Sequence, residues 1–306
     1  MTARSFLTVA DWSADELNQM LARARELRRM FHDGERPQTL EGRTLAMYFE
    51  KPSLRTHTTF EAGMAQLGGH AILLRPEQVG IGTRESPADV ARNLSRWVDG
   101  IMARTFSHSL VEQLAAEATI PVINGLTDLL HPCQAMADLQ TVSEKMEPKA
   151  ARLAYVGDGN NMANSLILIS AVLGIELRVA TPSTHRPPPR VLEKAEALAA
   201  ASGAKISLAT DPVEAVDDAH FVYTDTWTSM GQEEEAAQRR EIFAAYQVNE
   251  SLLEHAPDAW VMHCLPAHRG EEITSDVLDG ERSLVYEQAE NRLHAQKAVL
   301  EAVMLR

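Results

Sequence analysis

The sequence predicts an α/β protein made of two doubly wound domains, each with a parallel sheet. Short apolar runs of strand length alternate with amphipathic segments of helix length along the whole chain. A polar stretch at residues 143–149 interrupts this alternation near the middle, and the length of 306 residues suits two domains of roughly 150 residues. Repeated strand–helix units need crossover connections, so their strands lie parallel and helices cover both faces.

The first domain begins with an amphipathic helix and continues through four predicted strands. Ser13 and Glu16 form a capping box, and apolar residues then recur at helical spacing. Further helical patterns follow Pro52 and Pro87, and another covers 109–118. The predicted strands lie at 44–49, 70–74, 100–103 and 121–124.

The second domain repeats this alternation with five predicted strands. The domain boundary is expected between about 135 and 150, so residues 1–134 form the first domain and 135–284 the second. The final segment, from about 285 to 306, is helical in pattern and fits either domain. The strands are predicted near 153–156, 175–180, 206–209, 220–224 and 259–264.

The charge balance limits the partners of this protein. Its 29 basic and 43 acidic residues give a net charge of −14, which disfavours nucleic acid and anionic membrane surfaces as partners. A small anion would need a local basic pocket. The two cysteines, Cys133 and Cys264, lie far apart and indicate no disulfide framework. Since no apolar run reaches about 18 residues, we expect a cytoplasmic protein without a membrane segment.

Two segments of the first domain carry candidate binding groups. Residues 50–59, between the first predicted strand and its helix, offer backbone N–H groups, several hydroxyls and the Arg55 guanidinium, a set that suits a phosphate. The alternative is a helix cap with one surface arginine. His131 and Gln134, three residues apart at a helix start, can both point into one cleft to contact a carbonyl oxygen and an amide. The alternative there is a buried structural histidine.

The second domain carries two further candidates. Residues 157–162 imitate a dinucleotide fingerprint, but Met162 stands in place of the third glycine. The next strand exits into Thr181 rather than an acid that could hold a ribose, so nicotinamide binding is disfavoured. Asp225 follows a predicted strand and suits an ammonium group, unless it is only a solvated loop acid.

The residues His263, Cys264 and His268 raise two chemical hypotheses. Their spacing matches no common zinc pattern. Adjacent residues of a strand point to opposite faces, so His263 is not expected to serve Cys264 as a base. We therefore favour a role without a metal for this segment.

Taken in order, these segments resemble the aspartate/ornithine transcarbamylase family over nearly the whole chain. Ser53-Leu-Arg-Thr56 is similar to the start of the family's Ser-Thr-Arg-Thr-Arg motif, and His131-Pro-Cys-Gln134 to its His-Pro-x-Gln motif. Further matches are Arg104 with His108, Asp158-Gly-Asn-Asn161, Asp225 with Ser229-Met-Gly231, His263-Cys-Leu-Pro266 and Glu290-Asn-Arg292.

The resemblance implies a carbamoyltransferase of the family's ornithine branch. It implies that the C-terminal helix packs on the first domain, that carbamoyl phosphate and L-ornithine are the substrates, and that no metal or organic cofactor takes part. It also implies a homotrimer or a multiple of trimers. The implied catalytic residues are Arg104, His131, Gln134, Cys264 and Arg292. The residues implied to bind carbamoyl phosphate are Ser53, Leu54, Arg55, Thr56, Gln78, Arg104, His131, Gln134 and Arg292. Those implied to bind ornithine are Asn161, Asp225, Ser229, Met230, Cys264 and Leu265.

Two residues depart from the family motif. Leu54 replaces a threonine, which we expect to be tolerated if that position contributes only its N–H. His57 replaces the final arginine. Histidine is mostly neutral at pH 7, so either the family arginine is structural, which we favour, or this protein holds phosphate less tightly.

Two alternative functions stay open at the level of sequence. The first is a transcarbamylase for another amine, such as putrescine or an acylated ornithine. Asp225 argues for a free α-amino acid, because an acylated nitrogen gains nothing from a carboxylate. The second is a non-catalytic metabolite-binding protein, and only the change at His57 favours it.

Overall fold

The computed structural model describes residues 4–229, 231 and 233–305, and the chain forms two compact units. Unit 1 holds the residues up to Gln140 and from Glu290 onward, and unit 2 holds Thr141–Ala289. These divisions lie a few residues beyond those expected at 134 and about 285. Both fall inside continuous helices, Pro132–Ser143 and Val285–Met304, where the sequence pattern does not change.

Unit 1 contains a four-stranded parallel sheet in the order β2-β1-β3-β4. Its strands are β1 (Thr44–Phe49), β2 (His70–Leu74), β3 (Gly100–Arg104) and β4 (Val122–Leu126). Its first six helices are α1 (Ala14–His32), α2 (Leu54–Gln66), α3 (Pro76–Val79), α4 (Pro87–Leu94), α5 (His108–Glu117) and α6 (Pro132–Ser143). The predicted parallel fold of this domain is confirmed.

The two edge strands of this sheet, β2 and β4, differ in burial. β3 and β4 are buried along their whole length, whereas the edge strand β2 alternates between exposed and half-buried residues. β1 and β3 are neighbours in the sheet. The chain runs from β1 to β2 at one edge of the sheet and from β3 to β4 at the other. The carboxyl ends of β1 and β3 therefore form the switch point at which doubly wound sheets bind ligands.

Unit 2 contains a five-stranded parallel sheet in the order β7-β6-β5-β8-β9. Its strands are β5 (Arg152–Val156), β6 (Glu176–Ala180), β7 (Lys205–Ala209), β8 (Phe221–Thr224) and β9 (Trp260–His263). Its helices are α7 (Asn161–Leu173), α8 (Pro189–Ser202), α9 (Pro212–Val216), α10 (Ala236–Phe243), α11 (Glu250–Leu253) and α12 (Ser275–Leu278). The switch point of this sheet lies between β5 and β8.

The last helix, α13 (Val285–Met304), belongs to unit 1 from Glu290 onward. His294 on this helix is fully buried and contacts the ring of Phe31 on α1, with ring centroids 5.4 Å apart. Its Nε2 lies 3.7 Å from Glu290 Oε1, and among the described residues neither ring nitrogen has a partner within hydrogen-bond distance. Burial and then the charge of Lys297 lower the pKa of His294 to about 3. The packing of α13 in unit 1 therefore requires a neutral imidazole.

No helix within the described ranges has both the length and the apolar character needed to cross a membrane.

The buried imidazole predicts an acid-sensitive fold that His294→Gln should relieve. Unfolded histidine gains its proton near its ordinary pKa of about 6.5, whereas folded His294 resists it down to about pH 3. The unfolded state thus binds more protons in this window, so stability falls as the pH falls. We expect wild type to lose about 2 kcal/mol relative to H294Q between pH 7 and pH 4.5, measured by urea unfolding. His70→Gln, at an exposed position, is the control, and parallel curves for wild type and H294Q would contradict the prediction.

Candidate functional site

The N-terminus of α2 is the first candidate binding feature of unit 1. Ser53 is the N-cap residue, and its Oγ accepts a hydrogen bond from the Thr56 N–H at 3.2 Å. The Leu54 side chain is apolar and 76% exposed. This position can therefore contribute only its backbone N–H to a bound anion. A helix start of this kind presents N–H groups and the positive end of the helix dipole to an anion.

Two buried arginines converge on the Thr56 hydroxyl. Arg104, at the end of β3, donates from Nη1 at 3.2 Å, and Arg292, on α13, donates from Nη2 at 2.8 Å. Both side chains are buried, where water screens their charge weakly. The cluster therefore concentrates positive charge at the switch point of the first sheet and suits a small anion.

Gln134 is held at both ends of its amide. Its Oε1 accepts from Arg292 Nη1 at 2.6 Å, and its Nε2 donates to Asp138 Oδ1 at 2.8 Å. Asp138 is fully buried one turn further along α6. Sequence reasoning missed it, although its i, i+4 spacing from Gln134 was an available signal. This contact turns the amide oxygen of Gln134 towards the arginines.

His131, just before α6, is surrounded by cations. Burial, and then the charges of Arg292, Arg104 and Arg55, lower the pKa of His131 well below its ordinary value. The imidazole is therefore neutral at physiological pH. A neutral ring donates a hydrogen bond from one N–H without adding a further charge.

Cys133 is a structural thiol. Its Sγ donates to the carbonyl of Asn124 at 3.4 Å, and burial raises the pKa of the thiol to about 12. A nucleophilic cysteine needs thiolate character and access, so Cys133 contributes packing instead.

Gln78, which belongs to the expected phosphate set, and His57, which replaces the family arginine, contact other partners. His57 Nε2 lies 3.2 Å from Glu61 Oε2, and its ring contacts Phe49 edge-on with centroids 5.5 Å apart. Gln78 lies in the short helix α3, where its Oε1 accepts from the Arg75 N–H at 3.0 Å. Within the described part of the chain, neither side chain hydrogen-bonds to the cluster around Thr56.

In unit 2, Asp225 joins two residues that follow other strands. It comes directly after β8; its Oδ2 accepts from Asn160 Nδ2 at 2.8 Å, and its Oδ1 accepts from Cys264 Sγ at 3.0 Å. Asn160 is also the N-cap of α7, because its Oδ1 accepts from two backbone N–H groups. Sequence reasoning named Asn161, the first residue of α7, and missed Asn160. The place of Asn160 between a strand and an apolar helix was the signal.

The Gly-Asp-Gly segment serves the fold of unit 2 itself. Gly159 donates from its backbone N–H to the His185 carbonyl at 2.9 Å. A Cβ at Gly159 would lie 2.5 Å from that oxygen and 2.5 Å from the Pro187 nitrogen. The glycine thus permits close approach of another loop of the chain. This close approach accounts for the glycine at position 159. Part of the likeness to a dinucleotide fingerprint therefore has a structural reason that involves no nucleotide.

Arg239, on α10, connects two of the candidate segments. It forms a buried ion pair with Asp158, and its Nε donates to the Trp227 carbonyl at 2.5 Å. Burial raises the pKa of Asp158 to about 6, against the lowering effect of Arg239. Sequence reasoning missed this arginine, since the acidic, polar segment before it carries no motif. The half-buried Ser229 follows on the same loop, and Met230 lies outside the described residues.

The side-chain atoms that could bind a metal in this segment already take part in hydrogen bonds. The candidate ligand atoms of Asp225, His263 and Cys264 all lie within 4.8 Å of one another. The Leu265 N–H, however, donates to His263 Nδ1 at 2.8 Å, which leaves the ring proton on Nε2, 3.1 Å from Glu272 Oε1. Both ring nitrogens of His263 therefore take part in hydrogen bonds, and a metal would have to displace one of them.

Leu265 has an unusual backbone. Its φ of 58° lies in the left-handed region, which costs a residue other than glycine about 1–3 kcal/mol. Such a conformation persists only where its surroundings impose it.

Each unit thus places polar groups at the carboxyl ends of a parallel sheet, cationic in unit 1 and anionic in unit 2. These features define a class of two-domain α/β enzyme that handles a small anionic substrate and an amine-bearing one. Residues 4–144 match the family model described as the carbamoyl-P binding domain of aspartate/ornithine carbamoyltransferase, and residues 149–303 match its Asp/Orn binding domain. The chain belongs to the aspartate/ornithine carbamoyltransferase family and is a carbamoyltransferase.

Named relatives match this chain along almost its full length. The ornithine carbamoyltransferase of Anoxybacillus flavithermus is 53% identical over 306 residues, which cover 99% of this chain and 98% of the relative. The solved ornithine carbamoyltransferase of Pyrococcus furiosus has a TM-score of 0.96 at 51% identity, with 99% of this chain and 97% of that one covered. The Thermus thermophilus structure has a TM-score of 0.88 at 44% identity and covers 100% of both chains.

The cationic surroundings of His131 predict an imidazole that stays neutral through the working range. We expect its 15N ring signals to keep a neutral pattern from pH 8 down to pH 5.5 in the ligand-free protein. Arg292→Gln removes one of the charges that lower the pKa of His131 and should move its titration upward. Protonation of wild-type His131 near pH 6.5 would contradict the assignment.

Proposed function

We propose that this enzyme transfers the carbamoyl group of carbamoyl phosphate to the δ-amine of L-ornithine, which gives L-citrulline and phosphate. The observation that carries the proposal is the Asp225 carboxylate, which lies beside the Cys264 thiol and the Asn160 amide. A buried carboxylate suits the ammonium group of a free amino acid. Full-length relatives named ornithine carbamoyltransferase support the same acceptor.

Unit 1 is the proposed carbamoyl phosphate domain. The proposed domain comprises residues 1–134 and about 285–306, and the bounds of unit 1 differ from these by a few residues. Backbone N–H groups of 53–56 and the side chains of Ser53, Arg55 and Thr56 would hold the phosphate oxygens by charge-assisted hydrogen bonds. Gln78 is included on the resemblance alone.

The proposed reaction proceeds by positioning and electrostatics. The neutral δ-amine attacks the carbonyl carbon, a C–N bond forms, and the C–O bond to phosphate breaks with its electron pair leaving on phosphate. The amine proton is lost to phosphate or water. Thr56, Arg104 and His131 would stabilise the developing oxyanion, Gln134 would orient the carbamoyl amide, and Arg292 would add positive potential.

Unit 2 is the proposed ornithine domain, residues 135–284. Asp225 would meet the α-ammonium group, and the other proposed contacts are Asn161, Ser229, Met230, Cys264 and Leu265. The Cys264 thiol lines the site through its bond to Asp225 and forms no covalent intermediate in this scheme. Neither a metal nor an organic cofactor is part of the proposal.

The proposal extends to the setting of the enzyme. The relative from Pyrococcus furiosus is named an anabolic ornithine carbamoyltransferase, and we propose the same direction, arginine biosynthesis, for this chain. Two free cysteines fit a reducing cytoplasm. The family resemblance supports a homotrimer or a multiple of trimers.

An acceptor panel with paired variants tests the proposed reaction. Ornithine, putrescine, lysine and acetylornithine are compared with saturating carbamoyl phosphate, and we expect turnover with ornithine to dominate. Asp225→Asn should raise KM for ornithine roughly 10- to 100-fold, because a hydrogen bond to a charged group is lost. Arg292→Gln should instead raise KM for carbamoyl phosphate by a similar factor.

Asp258→Asn, an exposed position in unit 2, is the control and should leave both constants unchanged. Faster turnover with putrescine or acetylornithine than with ornithine would show that ornithine is not the preferred acceptor. A folded protein that makes no product with any amine would overturn the enzymatic proposal.

His57→Arg should change KM for carbamoyl phosphate by less than about twofold, as expected for a partly exposed substitution. His57 pairs with Glu61 and packs on Phe49, so its place is structural. Initial rates at varied carbamoyl phosphate measure this, with Arg55→Lys as the variant that should weaken binding. A large fall in KM for H57R would show that the missing charge belongs to the phosphate site.

A further inference from the structure

One buried carboxylate clamps both ends of the loop that carries Cys264 and Leu265. Glu272 Oε1 accepts from His263 Nε2 at 3.1 Å, directly before the loop, and from the His268 backbone N–H at 2.6 Å, directly after it. The Glu272 side chain is fully buried. A single oxygen atom thus fixes the separation of the two ends of this four-residue connection, residues 264–267.

Further contacts hold His263, the residue directly before the loop. The His263 backbone N–H donates to Gln288 Oε1 at 2.9 Å, and Gln288 Nε2 donates to the Tyr223 hydroxyl at 3.1 Å. The His263 ring accepts from the Leu265 N–H at 2.8 Å. That ring is oriented by its bond to Glu272, so the carboxylate reaches Leu265 through the imidazole.

The loop needs such support because Leu265 is held in the left-handed region, at φ 58°. An unsupported loop would relax this residue towards an ordinary conformation. The relaxation would move the neighbouring Cys264, whose Sγ lies 3.0 Å from Asp225 Oδ1. The position of the thiol therefore depends on contacts made on the other side of the loop.

We propose that Glu272 is a positioning residue for ornithine: it holds the 264–267 loop so that the Cys264 thiol stays beside the Asp225 carboxylate. The proposal rests on the ornithine reaction proposed above and deepens it. Glu272 acts through His263 and the loop backbone, and among the described residues its hydrogen bonds do not reach Cys264 or Asp225. It is a positioning residue and has no part in bond making.

The chemistry at position 272 distinguishes among replacements. Two N–H donors converge on one oxygen, so the position requires an acceptor of the right reach. Glutamine keeps an oxygen at that place, and its amide nitrogen can take the place of Oε2, which lies 3.8 Å from His268 Nδ1. Alanine removes the acceptor of both donors, of which the His263 Nε2–H is buried, and aspartate is one methylene too short.

Alkylation of Cys264 by iodoacetamide provides a direct readout of the loop. The chain has only two cysteines, and burial raises the pKa of Cys133 to about 12, so the reaction reports on Cys264. Its rate is measured by peptide mass spectrometry in wild type, E272A, E272Q and E272D. Glu271→Gln is the matched control, because Glu271 ion-pairs with Arg240 at 2.8 Å on the neighbouring surface. KM for each substrate is measured in parallel.

We expect E272A to change the alkylation rate at least about threefold and to raise KM for ornithine about tenfold, as the loss of a buried hydrogen bond predicts. KM for carbamoyl phosphate should stay within about twofold, and E272Q should restore both properties. E271Q should match wild type. E272D should shift both properties in the same direction as E272A and replaces it if E272A does not fold.

Two results would overturn the proposal. One is a folded E272A or E272D with wild-type alkylation and wild-type KM for ornithine. The other is an equal rise of both Michaelis constants that E272Q does not rescue, which would indicate general damage to the fold. If wild type does not use ornithine, the proposed function fails, but the alkylation series still decides whether Glu272 positions the loop.

Discussion

The convergence of two buried guanidinium groups on the Thr56 hydroxyl sets the requirements for the rest of unit 1. Arg104 comes from the end of a central strand and Arg292 from the C-terminal helix. Buried cations repel one another and lose hydration, so their placement must be enforced by rigid elements. The parallel sheet supplies one of these elements, and the return of α13 to unit 1 supplies the other. Burial, together with the charges of this cluster, keeps His131 neutral, and Arg292 orients Gln134.

Unit 2 uses the same architecture to place a negative charge, rather than positive ones, at the ends of its strands. Its switch point gathers the Asp225 carboxylate, the Asn160 amide and the Cys264 thiol from the ends of three strands. A buried carboxylate needs donors, and the amide and thiol provide them. Arg239 and Glu272 then secure the two flanking loops. Two sheets of one design thus present charges of opposite sign.

The strands and most helices could be predicted from the sequence because their signals are local. The buried strand β1 is an apolar run from Leu45 to Phe49, and α1 carries its own capping box. The candidate residues at strand exits could be named because strand ends locate ligands in this fold. Asp138 was missed although its spacing was local, since an isolated acid in a helix carries no chemistry by itself.

The supporting residues of unit 2 needed the tertiary structure. Arg239 meets Asp158, 81 positions earlier, and only the fold brings such a pair together. Asn160 was overshadowed by its neighbour Asn161, because the resemblance favoured the latter. The sequence alone could not decide the metal hypothesis either, because residue spacing does not reveal that both ring nitrogens of His263 already have hydrogen-bond partners.

The neutrality of His131 has a consequence for the end of the proposed cycle. Once the carbamoyl group has moved in the proposed scheme, the leaving phosphate would lie among the arginines proposed to bind it. An imidazolium there would add a charge-assisted hydrogen bond, about twice as strong as a neutral one, and would slow its departure. Burial and the surrounding cations prevent that protonation. In the proposed scheme the histidine can therefore assist the chemical step without adding its own charge to the phosphate site.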